Sequence, residues 1–180
     1  MRLTALLPAF ALLAACGAPD AAEDETAAGT GSAAEAGAAE ARILEMAAAR
    51  MMLAEHDASH LAIGPWARTP PAGRDMTAAY LVIYAAAPDR LVAATSPEAD
   101  AIELHVTGME DGVMRMRPAE DGLAVPADGP LTLEPGGAHL MVFGLADDAA
   151  EDGRLALELE FESGAVLEVA APFATEPPGE

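Results

Sequence analysis

Four residues of this chain carry types and spacing suited to metal chemistry: His105, Met116, His139 and Met141. They lie in stretches that otherwise read as β-strands. His139 and Met141 are two apart in GGAHLMVFGL, so on a strand their side chains share a face. Met116 follows His105 by eleven positions. Thioether sulfur is a soft ligand that selects Cu(I) over hard cations. Imidazole and thioether carry no charge when they bind, so a monovalent ion is the natural guest. Cu(II) would prefer more nitrogen or oxygen ligands in a tetragonal arrangement. Singly, each residue has a plainer reading: a strand methionine is ordinary packing, and a lone histidine is an ordinary polar residue. The metal reading rests on the four together, on neighbouring strands that bring them to one end of a sandwich.

The elements that must position them are short and punctuated by turns. Residues 77–84, 90–96, 100–106, 112–118, 130–134, 138–145, 154–161 and 165–173 read as strands. In 112–118, Val113, Arg115 and Arg117 alternate with Met114 and Met116. In 154–161, Leu155, Leu157, Leu159 and Phe161 share one face, opposite Glu158 and Glu160. Pro88-Asp89 and Pro135-Gly136-Gly137 mark turns, and a Gly-Gly turn can bring backbone close to a neighbouring loop. Many short strands at turn-marked intervals predict an all-β domain, a β-sandwich or small barrel of antiparallel sheets, over residues 59–174. Before it, residues 41–58 predict a helix: Ile43, Leu44, Met46, Met51, Met52 and Leu53 sit among good helix formers without Gly or Pro. Residues 16–40 have almost no large apolar side chains and predict a flexible acidic tether. Residues 175–180 form a tail.

The opening residues address location. Arg2 is followed by an apolar run, and Leu13-Ala14-Ala15-Cys16 fits a bacterial lipobox. Residues 1–15 are therefore expected to be a lipoprotein signal peptide, too short to persist as a membrane span, with lipidation at Cys16. Cys16 is the sole cysteine, so no disulfide forms and the Cys ligand of a blue-copper site is absent. The formal net charge of -21 argues against nucleic acid, which needs a basic face. It also disfavours adsorption to anionic lipid, leaving the lipid on Cys16 as the membrane attachment. No Ser/His/Asp arrangement, paired carboxylate or phosphate loop suggests an enzyme.

The stretch from PWARTPP through AAYLVIY, DRLVAATSP, ELHVTGMEDGVMRMRP, LEPGGAHLMVFGL and LALELEF resembles the PCu(A)C family of periplasmic copper chaperones, over about residues 60–173. The family's motif is a His, a Met eleven residues later, then His-x-Met. The resemblance implies a cupredoxin-like Greek-key β-sandwich with a Cu(I) site near the surface. It makes His105, Met116, His139 and Met141 the ligands. It implies copper delivery toward the CuA centre of cytochrome c oxidase, and the chain is expected to be a monomer. The acceptor would be oxidase subunit II or a Sco-type metallochaperone. The chain departs from the family in four ways. Twenty-two residues separate Met116 from His139, one more than usual, with the extra residue expected in a hairpin loop near 119–129. Val106 stands where many members carry a second Met, the usual Asn near Tyr84 and Ala85 is replaced, and no Met/His-rich C-terminal tail is present.

Other soft residues have two readings. Met114, on one strand face with Met116, is an alternate ligand or packing beside the site, with packing favoured; Met109 lies nearby. Met46, Met51, Met52, His56 and His60 form a copper-collecting face or, the favoured reading, part of an amphipathic helix packed on the sandwich. Trp66 is expected in the core near the start of the first strand, with a shield over the metal as the alternative. Rival functions are a copper storage or tolerance lipoprotein, an electron-carrying cupredoxin, and a metal-free adhesion sandwich.

Overall fold

The computed structural model describes residues 31–110, 112–146, 149 and 152–178. The expected signal segment, Cys16 and residues 16–30 of the expected tether lie outside them. Helix α1 spans Gly31–Glu55. It begins ten residues before the expected helix, inside the stretch read as tether. That stretch is AAEAGAAEA after Gly31-Ser32, and alanine is the strongest helix former, so propensity suffices where an apolar face is missing. The end also comes earlier than expected. Ala58 N–H donates to Leu53 O at 2.9 Å and Asp57 N–H to Ala54 O at 3.4 Å, with Asp57 at φ 48°. This left-handed cap closes the last carbonyls and stops the helix before residue 58.

Ten strands follow: β1 (His60–Arg68), β2 (Met76–Ala85), β3 (Asp89–Thr95), β4 (Ala99–Glu110), β5 (Val113–Pro118), β6 (Leu123–Val125), β7 (Leu131–Leu133), β8 (His139–Leu145), β9 (Arg154–Phe161) and β10 (Val166–Ala174). Neighbours run β5-β4-β8-β2-β1-β10-β9-β3-β6, and β7 also pairs with β2. All pairings are antiparallel except β1 with β10, which is parallel and joined at only Ala67↔Phe173 and Arg68↔Ala174. That short seam divides the strands into two layers with one core between them. Leu81, Ile83, Leu140 and Val142 enter it from one layer, and Leu91, Leu155, Leu159 and Phe161 from the other. Alternation does the sorting: along β9 every second residue is buried.

Two strands were not read from the sequence. β6 occupies part of 119–129, expected to be loop. Leu123 and Val125 point into the core there, paired with β3 through Leu91↔Leu123 and Asp89↔Val125. β1 was missed because its alternation breaks. Its pairing with β2 shifts register between Ile63 and Trp66, around Gly64 at φ 58°. Before the bulge Ala62 faces the core and Leu61 the outside; after it Ala67 faces the core and Trp66 the outside. Trp66 is buried, but on the outer face of its sheet and near the end of β1, stacked on Tyr80 with ring centroids 4.6 Å apart. It is therefore buried as expected, but outside the cluster between the two layers.

The outer face of the first layer has three zones. At one end Tyr84 packs with Ala49 and Leu53 of α1, flanked by Met46, Leu61 and Val82. Trp66 and Tyr80 form the middle. At the other end lie His139 and its neighbours.

Candidate metal centre

Register places the two site histidines face to face. His105 of β4 is the direct partner of His139 of β8. Their ring centroids are 5.6 Å apart in an edge-on arrangement. Met141, two residues along β8, stands opposite Glu103, so all four side chains project from the outer face while Leu104, Leu140 and Val142 fill the core. Met116 of β5 pairs with Thr107, two residues beyond His105 on that same face. It sits about 7 Å along the strands from the His105 rung, on the side away from Met141. The structure thus sets His105 and His139 on one rung, with Met141 about 7 Å along the strands on one side and Met116 about the same distance on the other, toward the rim. Met116, His139 and Met141 line one open cleft with Arg68, Tyr80 and Thr107. Within the group, His139 is buried and Met116 is 63% exposed.

Each imidazole is oriented by a partner that can only accept. The Nδ1–H of His139 donates to the Gly137 carbonyl at 3.1 Å, which leaves Nε2 with its lone pair. The Thr107 hydroxyl donates to the same carbonyl at 3.0 Å, tying β4 to the turn before β8. That turn reverses through Gly136 at φ 83°. His105 Nε2–H donates to the Glu103 carboxylate at 2.8 Å, which leaves Nδ1 with its lone pair. Such outer partners fix ring orientation and raise ligand basicity. The aromatic surround is Tyr80, 6.4 Å from the His139 ring, and Phe143, 6.5 Å from the His105 ring.

Glu103, Thr107, Tyr80 and Phe143 are not singled out by the sequence, and Gly137 is marked there only as part of a turn. Glu103 was legible in principle, because it lies two residues before His105 and so shares its strand face. The Gly137 carbonyl was not, since a backbone acceptor leaves no mark in residue identity.

The remaining soft residues separate. Met109 and Met114 are 71% and 60% exposed, and Met114 lines the same cleft as Met116, His139 and Met141. His56 is exposed and its Nδ1–H donates to the Met52 carbonyl at 3.0 Å, closing the helix end. His60 is buried at the start of β1, 3.0 Å from Asp89 and stacked on Phe161. Met46 packs toward Tyr84, whereas Met51 is 72% exposed. The helical set therefore does not converge on a metal position, and its packing through Ala49 and Leu53 follows the amphipathic reading.

Residues 62–173 match the family described as "Putative lipoprotein LpqE-like", and that match spans more than half of the chain. The chain belongs to this LpqE-like family. Putative lipoprotein Lxx21020 of Leifsonia xyli subsp. xyli (strain CTCB07) is 35% identical over 82 residues, 46% of this chain and 49% of that protein. The match thus covers about half the length of that relative. Among solved structures, the apo PCuAC domain from PmoF1 superposes at a TM-score of 0.53 with 21% identity, over 66% of this chain and 95% of that one. The copper-bound PCuAC domain from PmoF2 gives 0.52 with 20% identity, over 66% and 94%. Apo-DR1885 from Deinococcus radiodurans gives 0.50 with 27% identity, over 68% and 83%. The LpqE-like chain therefore has the cupredoxin-like fold of PCuAC domains. Membership in a lipoprotein family supports the periplasmic, membrane-anchored location read from the opening residues.

Proposed function

We propose that this chain is an extracytoplasmic Cu(I) metallochaperone. It would carry one ion on His105, Met116, His139 and Met141 and deliver it toward the CuA centre of cytochrome c oxidase. The observation that carries the reading is the facing His105–His139 pair. Each ring has one nitrogen committed to a protein acceptor and the other available. Met141 and Met116 project from the same sheet face. Two neutral nitrogens and two thioethers suit a monovalent soft ion. The copper-bound state of the PmoF2 PCuAC domain, which shares this fold, agrees with this cargo.

No bond in a substrate is broken in such a role. The work is ligand exchange. Met116, exposed on the rim, is the first ligand a docking acceptor displaces, and the buried His139 is the last. An acceptor bearing cysteine thiolates, on oxidase subunit II or a Sco-type protein, offers softer, charged ligands and draws the ion onward. A lipid at Cys16 and the segment after it would keep the domain near a membrane client and raise the local concentration.

Competition with a chromophoric Cu(I) chelator tests the cargo. His139→Ala and Met141→Ala are each expected to weaken Cu(I) binding at least tenfold, and unchanged affinity in both would overturn the reading. Deletion of the gene tests the client. Oxidase activity lost and restored by added copper supports delivery, whereas copper sensitivity with an intact oxidase would replace delivery with storage.

A further inference from the structure

The β4–β5 hairpin carries more sulfur than one Cu(I) site needs. The last β4–β8 pair is His105↔His139, so from Val106 onward β4 is paired only with β5 and the hairpin projects past the sheet. On the site face of that projection, Met109 stands directly opposite Met114, and Met116 is the next residue of β5 on the same face. In a cross-strand pair the Cβ atoms are about 5 Å apart, close enough for two thioether arms to meet at one ion. All three side chains are 60–71% exposed. Packing does not account for them, because side chains this exposed gain little from burial. Met114 and Met116 line the cleft that also holds His139 and Met141, so the sulfur row leads from the hairpin tip into the site. Arg115 and Arg117 alternate to the opposite face of β5, so the row itself is uncharged.

We propose that Met109 and Met114 form a second, outer station for Cu(I), with Met116 as the shared ligand between it and the two-histidine group. The inference rests on the Cu(I) reading and deepens it. Two thioethers hold Cu(I) loosely. Adding Met116 and then exchanging the outer sulfurs for imidazole nitrogen moves the ion inward one ligand at a time. The ion stays Cu(I) throughout, and no proton need move, since thioethers bind without deprotonation. The reverse sequence presents the ion to an acceptor at the hairpin tip.

The full chain, labelled with 13C at the methionine methyls, is titrated with Ag(I), a redox-inert soft monovalent probe. Met→Leu variants assign the resonances. The expected result is that the Met141 methyl moves during the first equivalent, and the Met109 and Met114 methyls during the second. In the Met109→Leu/Met114→Leu double variant, the second equivalent should be lost while first-equivalent affinity stays within twofold of wild type. Met109 and Met114 methyls unmoved through two equivalents, with Met141 responding, would overturn the outer station and leave the chaperone reading standing. All three methyls moving together in the first equivalent would also overturn it, because there would be one enlarged site. A titration that moves none of them would remove the Cu(I) reading itself.

Discussion

Removing the Glu103 carboxylate separates orientation of a ligand from ligation. Glu103 accepts the Nε2–H of His105 at 2.8 Å, which holds the ring with Nδ1 available. Partners of this kind typically contribute 10–100-fold to metal affinity. The Glu103 side chain is 50% exposed, so water replaces part of what it supplies. The loss in Glu103→Ala should therefore fall at the low end, about tenfold or about 1.4 kcal/mol. Folding stability should change by less than about 0.5 kcal/mol, because the side chain is a surface one. Glu103→Gln keeps an oxygen acceptor without the charge. Charge-assisted hydrogen bonds are about twice as strong as neutral ones, so its loss should be about threefold. The assay is Cu(I) competition against a chromophoric chelator at fixed pH, with thermal midpoints measured on the same samples. Wild-type affinity in Glu103→Ala, alongside a large loss in His139→Ala, would refute the argument that the carboxylate orients His105. Equal losses in the Ala and Gln variants would show that the charge, not the acceptor, matters.

Two further outcomes concern the frame of the site. Burial pushes the His60 imidazole below its ordinary 6.5, against the opposing pull of the Asp89 carboxylate, so the folded state prefers it neutral. The unfolded chain takes up the proton first. This contribution to stability is thus complete above about pH 6.5 and is lost as pH falls toward the lowered native value. Thermal midpoints from about pH 7.5 to 5 should fall more steeply for wild type than for His60→Gln, and parallel curves would refute the account. Asp89 adds a separate limb at lower pH. Burial raises its carboxyl, but hydrogen bonds from the Ser163 hydroxyl and the Arg90 and Ser163 amides, with His60 nearby, outweigh that and lower it. In Gly122→Ala the new methyl would meet the Leu91 carbonyl oxygen at φ 73°, where β6 turns in beside β3. Destabilisation of about 2–4 kcal/mol is expected in denaturant unfolding, with Cu(I) affinity of the folded fraction unchanged, and a loss under about 0.5 kcal/mol would refute it.

Much of the fold was legible because strict alternation survives in most strands. The Leu155–Phe161 series reads directly as one buried face, and AHLMVFGL places His139 and Met141 together. Legibility failed where that period is interrupted. The bulge at Gly64 puts the buried Trp66 on the outer face of its sheet, and a period-two reading cannot pass through it. Strand β6 is three residues long and bounded by turn residues, so its membership in the core comes from pairing with β3 rather than from its own pattern. The early start of α1 follows from alanine content, a signal that equally suits a tether. His60 illustrates the same limit: spacing put it with the helical soft residues, whereas β1 carries it to Asp89 and Phe161.

Residue type by itself pointed to the chemistry proposed for this protein. Two imidazoles and two thioethers suit a soft monovalent ion, and the sole cysteine, at the front of the chain, stands apart from them in sequence. The shared face of His139 and Met141 follows from a separation of two along a strand. The tertiary structure decided what lies far apart in the chain. It set His105 opposite His139, gave each imidazole an acceptor at Glu103 or Gly137, and left Met116 on the rim with Met109 and Met114 beyond it. Strand register is a property of two strands at once. A local sequence specifies which face a residue takes but not which residue it will meet there.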